Sequence, residues 1–286
     1  MTESGVLCLD SAGYHRMHYY EWGDADNPRV VICVHGLTRN GRDFDFLAER
    51  LSRADFRVVC PDIAGRGRSD WLAAKRDYGY PQYAADLTAL LARVTCSADQ
   101  QVSWVGTSMG GLLGMVIAAR PGNPIEKLVV NDAGMIVPKA ALERLAGYVG
   151  KEPLLPTLDA LEAHIRTISA PFGALTDAQW RHLTLYSAKQ HAEGAWGVRY
   201  DPAIGAAFEG ELADIDLTAY WDAIACPTLL LRGADSDLLL RETAEAMTQR
   251  GPKSKLVEFQ GMGHAPMLMC DEQVEAVRDF LLESVK

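Results

Sequence analysis

The pentapeptide Gly106-Thr107-Ser108-Met109-Gly110 constrains the fold of this chain more than any other segment. A short apolar run, 101–106, precedes it, and a run of helix-forming residues, 109–120, follows it. A G-x-S-x-G sequence between a strand and a helix is typical of a tight turn that exposes a nucleophilic serine. The two glycines are expected because side chains at these positions would collide with the neighbouring strand and helix. We therefore predict that Ser108 stands at the carboxyl end of a parallel strand.

Around this motif, strand and helix signals alternate along the chain. The runs that predict buried strands are 29–34, 56–60, 101–106, 125–131, 227–232 and 255–259. Helical patterns cover 43–53, 83–94, 109–120 and 271–282. Between about Met135 and Ala219 no strong strand run appears, and prolines divide the segment into short helical or irregular pieces. We expect an α/β fold with a mostly parallel central sheet flanked by helices, formed by 1–134 and 220–286, and a helical insertion at 135–219.

A serine hydroxyl needs a base that takes its proton, and the base needs a partner that orients it. His264 lies in the glycine-rich segment 261–266, after the last predicted strand and before the last predicted helix. A loop in that position can bring an imidazole to the sheet edge where Ser108 is expected. We interpret five other histidines as surface or packing residues: His15, His18, His164, His182 and His191.

Three aspartates could orient the histidine. Asp132 follows the predicted strand 125–131, and Asp235 and Asp237 both follow the strand at 227–232. The chain order of serine, acid and histidine holds for all three, so order and spacing leave the choice open. The aspartates that are not used would form turns or cap loops.

Acyl transfer also requires hydrogen-bond donors where the tetrahedral oxygen develops its charge. The segment His35-Gly36-Leu37-Thr38 directly follows the strand 29–34. We expect the backbone N–H groups of Leu37 and Met109 to form the oxyanion hole, because these positions flank the predicted nucleophile.

Substrate contacts are harder to predict than the catalytic residues. Arg39 could bind a substrate carboxylate or pair with an acid such as Asp43. Trp180, Tyr186 and Trp196 belong to a group of aromatic residues in the insertion that favours an apolar acyl or aryl pocket. A single aromatic residue at helical spacing is nevertheless more often part of a core.

The chain resembles the α/β-hydrolase fold superfamily over nearly its whole length. The resemblance lies in HGLT at 35–38, PDIAGRGRS at 61–69, GTSMGG at 106–111, RGADSDLL at 232–239 and GMGHAP at 261–266. It implies that the insertion 135–219 is a helical cap over the active site. It also favours Asp237 as the acid, although the usual spacing would place the acid one residue earlier, at Ser236.

The expected function is hydrolysis of small carboxylic esters by a Ser108–His264–Asp237 triad through an acyl-enzyme intermediate. Two alternatives stay open because the scaffold is shared. One is a C–C bond hydrolase or enol-lactonase of aromatic degradation, and the other is a non-catalytic ligand receptor. Relatives with dehalogenase or epoxide hydrolase activity carry aspartate in place of the serine of the turn 106–110, which we call the elbow. Those activities are therefore disfavoured. Neither a metal-ligand set nor a dinucleotide fingerprint is present, so we expect no cofactor and no metal.

Charge and cysteine usage narrow the partners and the compartment. The 28 basic and 38 acidic residues give a formal net charge of −10, which opposes binding to nucleic acid. The apolar runs are far shorter than the ~20 residues that span a bilayer, and residues 1–10 do not resemble a secretory signal. Six scattered cysteines favour a reduced, cytoplasmic protein. We expect a monomer or homodimer that acts on a small-molecule substrate without nucleic acid or membrane.

Overall fold

The computed structural model describes residues 1–95 and 100–284. Its main strands are β1 (Thr2–Leu9), β2 (Tyr14–Trp22), β3 (Arg29–Val34), β4 (Arg57–Pro61), β5 (Gln101–Thr107), β6 (Ile125–Asn131), β11 (Thr228–Gly233) and β12 (Lys255–Phe259). The helices that connect or follow these strands are α1 (Asp45–Arg53), α2 (Tyr80–Val94), α3 (Met109–Ala118), α8 (Arg241–Met247) and α9 (Asp271–Leu282). The predicted α/β fold is confirmed.

The eight main strands form one sheet in the order β1-β2-β4-β3-β5-β6-β11-β12. The strands from β4 to β12 in that order pair in parallel, whereas β1 and β2 form an antiparallel hairpin at one edge. The carboxyl ends of parallel strands meet at one edge of the sheet. The loops that follow β3, β5, β6, β11 and β12 are therefore brought together there.

Helices cover both faces of the sheet, and this explains the unbroken apolar runs of the central strands. Along β3, Val30, Ile32 and Val34 pack on one face, while Val31 and Cys33 pack on the other. Each of these five side chains is fully buried. The sheet is thus a rigid platform for the loops at its carboxyl edge.

The segment between β6 and β11 leaves the sheet. It contains α4 (Lys139–Ala146), α5 (Leu158–Ile168), α6 (Asp177–Ser187) and α7 (Thr218–Ala223). It also contains two short antiparallel pairs, β7 (Ile136–Val137) with β10 (Ile215–Asp216) and β8 (Ala188–Gln190) with β9 (Trp196–Val198). Strands of two or three residues are too short for an alternating pattern, which is why the sequence predicted none here.

Five cysteines are unpaired, namely Cys8, Cys33, Cys60, Cys226 and Cys270, and Cys96 lies outside the described residues. In the part of the chain that the structure describes, no helix combines the length and the hydropathy needed to cross a membrane.

Candidate active site

Ser108 sits on a sharp turn between β5 and α3. Its backbone adopts φ 53° and ψ −117°, a conformation that residues other than glycine seldom take. A Cβ atom at Gly106 would lie 2.1 Å from the Gly110 carbonyl oxygen, and one at Gly110 would lie 1.9 Å from the Val34 carbonyl oxygen. Both contacts are with backbone, which cannot move aside, so glycine is required on each side of the serine.

His264, in the loop between β12 and α9, connects Ser108 to an acid. Its Nε2 lies 2.8 Å from Ser108 Oγ, and its Nδ1 lies 2.7 Å from Asp132 Oδ2. A carboxylate only accepts hydrogen bonds, so Nδ1 carries the proton and donates to Asp132. Nε2 is then free to accept the hydroxyl proton of Ser108. The predicted pair of Ser108 and His264 is thus within hydrogen-bond distance.

Asp132 directly follows β6 and is completely buried. Its Oδ1 accepts a hydrogen bond from the Gly233 backbone N–H at 2.9 Å. Its Oδ2 accepts hydrogen bonds from the Ser236 hydroxyl at 2.7 Å and from His264. These donors hold the carboxylate in one orientation toward the imidazole.

The prediction that Asp237 orients His264 is wrong in this structure. The side chain of Asp237 is 51% exposed, and its carboxylate pairs with Arg144, whose Nη2 lies 2.9 Å from Oδ1. Asp235 is also exposed, and its backbone N–H donates to the Met262 carbonyl. Adjacent residues in this loop point in opposite directions, so a shift of one residue moves a side chain from the site to the surface.

Two signals in the sequence could have identified Asp132. One is its position directly after β6, the strand next to the one that carries the nucleophile. The other is Ser236, which occupies the position where the superfamily resemblance places the acid and here donates its hydroxyl to Asp132.

His35 and Gly36 place the predicted oxyanion loop beside the nucleophile. A Cβ atom at Gly36 would lie 3.6 Å from the Cβ of Ser108. The buried imidazole of His35 accepts a hydrogen bond from the Ile63 N–H at 2.9 Å and donates one to the Gly36 carbonyl at 2.7 Å. Burial lowers the pKa of His35 to about 3, so the ring is neutral when it holds the loop. His35 has no such role in the prediction from sequence, which uses only the backbone of its loop.

Asn131, the residue before Asp132, joins two loops of the site. Its buried Nδ2 donates to the Thr107 hydroxyl at 3.0 Å and to the Pro266 carbonyl at 2.7 Å. The elbow and the histidine loop are thereby fixed relative to each other. Nothing in its sequence context distinguishes this asparagine, so its role could not be predicted from the sequence.

Ser108 and His264 open into a cavity of about 380 Å³, within the usual range for small-molecule sites. Its floor is formed by the loops at the carboxyl edge of the sheet, and its wall by the segment between β6 and β11. Its apolar lining includes Leu145, Ile165, Ile168, Phe172, Val198 and Met267. The site therefore combines a polar reaction centre with a mainly apolar wall.

Three aromatic residues that were predicted to bind substrate do not line this cavity. Trp180 is buried and stacks on Phe172 with 8° between the rings. The ring of Tyr186 lies 3.7 Å from the Arg42 guanidinium, and Trp196 pairs with Leu155 through its backbone. Trp180 belongs to the hydrophobic core, and none of the three lines the cavity, so the prediction that Trp180, Tyr186 and Trp196 bind substrate is wrong in this structure.

The basic residues that line the cavity differ in their partners. The Nε and Nη2 atoms of Arg39 each lie 2.7 Å from a carboxylate oxygen of Asp43, so Arg39 is already paired. Arg144 is paired with Asp237. The ammonium group of Lys151 donates to the Gly147 carbonyl at 2.6 Å, and no carboxylate of residues 1–95 or 100–284 lies within 4.0 Å of it. Lys151 therefore brings a charge to the cavity that an anionic ligand can neutralise.

One cluster elsewhere has the residue types of a metal site. The side-chain ligand atoms of Cys8, His15 and Asp86 lie within 4.8 Å of one another. His15 is already hydrogen-bonded to Asp86 at 2.9 Å. Burial and the neighbouring Asp86 raise the pKa of the Cys8 thiol to about 12, so it is protonated at neutral pH. These contacts give the cluster a structural role in joining β1, β2 and α2.

The fold and the site define a hydrolase of the α/β class, and comparison with known proteins agrees. A model of the alpha/beta hydrolase family matches residues 31–279, so the chain belongs to this family and is a hydrolase. A 3-hydroxybutyrate-oligomer hydrolase of Cupriavidus necator is 45% identical over 284 residues, which cover 96% of each chain.

Solved structures extend the similarity to the whole chain. An alpha/beta hydrolase from Novosphingobium aromaticivorans is 35% identical, with a TM-score of 0.85 and 98% of each chain covered. A protein from Rickettsia typhi is 30% identical, with a TM-score of 0.92 and complete coverage of both chains. The predicted superfamily membership is confirmed.

Proposed function

We propose that this protein is a serine hydrolase of carboxylic esters, with Ser108 as nucleophile, His264 as general base and Asp132 as the acid that orients His264. The observation that carries the proposal is the continuous hydrogen-bond chain from Ser108 Oγ through both nitrogens of His264 to Asp132. This arrangement has the roles and the geometry of a catalytic triad.

In the proposed reaction, Ser108 Oγ attacks the ester carbonyl carbon while its proton passes to His264 Nε2. Asp132 stabilises the imidazolium that forms, and the N–H groups of Leu37 and Met109 bind the oxyanion. The C–O bond to the alcohol then breaks, and His264 returns the proton to the departing oxygen. A water molecule, activated by His264, attacks the acyl-enzyme and releases the acid.

For the substrate, we propose short ester oligomers of a small 3-hydroxy acid. The Cupriavidus necator relative is named for its action on 3-hydroxybutyrate oligomers. A cavity of about 380 Å³ with an apolar wall suits short aliphatic units. Such an oligomer ends in a carboxylate, and Lys151 offers, in the cavity wall, an ammonium group that no carboxylate of the described residues neutralises.

The test is hydrolysis of the linear 3-hydroxybutyrate dimer by the purified protein. We expect two molecules of monomeric acid for each dimer consumed, and a covalent mass increase on Ser108 after treatment with a fluorophosphonate. The Ser108→Ala variant should show neither. Tight binding of the dimer without release of acid would instead support a ligand receptor, and the ester hydrolase proposal would fail.

A further inference from the structure

Arg66, in the loop after β4, is a buried cation that has no counter-ion among residues 1–95 and 100–284. Its relative exposure is 0%, and no carboxylate in the described parts of the chain lies within 4.0 Å of its guanidinium. Its N–H groups donate to neutral acceptors: the Leu37 carbonyl at 2.8 Å, the Ala64 carbonyl at 2.7 Å and the Tyr83 hydroxyl at 2.8 Å. A buried charge that is not paired is unfavourable, so its retention calls for an explanation.

The described side chains that contact the Arg66 guanidinium are neutral. The rings of Tyr83 and Tyr78 lie 4.8 and 5.9 Å from its guanidinium carbon. The Tyr78 hydroxyl donates to the Asp201 carboxylate at 2.6 Å, so a neutral tyrosine separates that carboxylate from Arg66. In the resting enzyme the guanidinium is therefore held by dipoles and aromatic faces.

The position of Arg66 relates it to the proposed oxyanion hole. Its Nε holds the carbonyl of Leu37, and its Nη2 lies 4.0 Å from the sulfur of Met109. Leu37 and Met109 are the two residues whose N–H groups are assigned to the oxyanion. The positive charge of Arg66 also acts on His35, two residues before Leu37. Burial is the main cause of the lowered pKa of His35, and the charge of Arg66 lowers it further.

We infer that Arg66 is a positioning residue of the oxyanion hole and that its charge stabilises the negative oxygen of the tetrahedral intermediate. This inference rests on the proposed function. The guanidinium fixes the Leu37 loop by its hydrogen bond to the Leu37 carbonyl. A negative charge that can interact with Arg66 arises only when the oxyanion forms. Interactions that are stronger in the transition state than in the ground state raise kcat rather than lower KM.

The experiment compares Arg66→Met, which keeps the length and loses the charge, with Arg66→Lys, which keeps the charge and loses the planar fork. Arg68→Met is the matched control, because Arg68 is exposed and its side chain pairs with Glu3. We measure kcat and KM for p-nitrophenyl butyrate, thermal stability, and the affinity for a phenylboronic acid that forms an anionic tetrahedral adduct with Ser108.

Removal of a direct oxyanion donor costs roughly 10²–10³ in kcat, so an indirect effect of about tenfold to a hundredfold is expected for Arg66→Met. The boronic acid should bind more weakly by a similar factor, while KM changes less than about threefold. Arg66→Lys should recover part of both losses, and Arg68→Met should match the parent.

Different results would overturn the proposed function and the role of Arg66. A parent enzyme that neither cleaves the ester nor forms the boronate adduct would overturn the proposed function. An active parent whose Arg66 variants keep kcat and boronate affinity would overturn only the role of Arg66. If Arg66→Met does not fold, Arg66→Lys decides: a parallel fall of kcat and boronate affinity supports the role, and unchanged boronate affinity refutes it.

Discussion

The floor and the wall of the cavity are built in different ways. Floor positions are set by backbone contacts, as at Gly106 and Gly110, where even a methyl group would strike a carbonyl. The wall is built from side chains of the segment between β6 and β11, which include ion pairs and the exposed Lys151. Backbone-held groups define the geometry of a reaction, whereas side chains of a wall define what enters. Substitutions in the floor should therefore change kcat, and those in the wall should change selectivity.

The largest effect is expected for Ser108→Ala. Loss of a triad serine lowers kcat by about a millionfold when the other groups act as a unit. The substitution removes only an oxygen, so the turn and the fold should persist. Ester turnover and circular dichroism of the purified variant check both statements. Residual kcat above about one per cent of the parent would contradict the assignment.

The second prediction compares the aspartate that contacts His264 with the aspartate that pairs with Arg144 of the wall. Asp132→Asn should lower kcat on the order of 10⁴-fold, because the amide favours the wrong imidazole tautomer. Asp237→Asn should change kcat less than about fivefold, since only the half-exposed pair with Arg144 is weakened. Both values are measured on one ester at equal thermal stability. A crippled Asp237→Asn with a nearly normal Asp132→Asn would reverse the assignment.

A smaller effect concerns the neutral ring of His35 in the floor. Its pKa is about 3 in the folded state against about 6.5 in the unfolded state, so the unfolded chain takes up its proton first. The contribution of His35 to stability is complete above pH 6.5 and is lost as the pH falls toward 3, by about 1.4 kcal/mol per pH unit.

Protonation of the buried Asp62 has the opposite effect on stability over part of this pH range. Burial raises the pKa of Asp62 to about 6, so the folded protein takes up this proton at a higher pH than the unfolded chain does. A His35→Gln variant isolates the histidine, since Asp62 is common to both proteins. The stability of the parent relative to His35→Gln, from urea unfolding, should fall between pH 7.5 and pH 5.5. A pH-independent difference would show that the ring does not behave as a buried neutral histidine.

The smallest effect is expected in the wall. Lys151→Met should raise KM for the 3-hydroxybutyrate dimer relative to its methyl ester by about fivefold, the worth of an exposed ion pair of about 1 kcal/mol. Lys139→Met is the matched control, because Lys139 is an exposed lysine of α4 that does not line the cavity. Equal ratios of KM in Lys151→Met and the parent would remove Lys151 from substrate recognition.

The difference between the backbone-held floor and the side-chain wall also explains what could be predicted from the sequence. The elbow, the oxyanion loop and the position of His264 are encoded by residue types that the backbone geometry requires, so motifs locate them. The acid is not encoded in this way, because a carboxylate after either β6 or β11 can reach the histidine. The choice depends on the direction of single side chains, with Ser236 inward and Asp237 outward.

The wall could be predicted only in outline. The broken pattern of 135–219 predicts short helical or irregular pieces, but helical spacing does not show whether an aromatic residue faces a cavity or a core. Trp180 illustrates this, because the sequence places it among the candidate pocket residues and the structure stacks it on Phe172 away from the cavity.

The neighbouring residues Ser236 and Asp237 connect two parts of the enzyme mechanically. One side chain is bonded to Asp132, and the other is bonded to Arg144 on α4, the helix that also brings Leu145 to the cavity. One peptide unit therefore separates the hydroxyl that holds Asp132 from the carboxylate that anchors α4. The orienting acid and a helix of the cavity wall share a single backbone attachment.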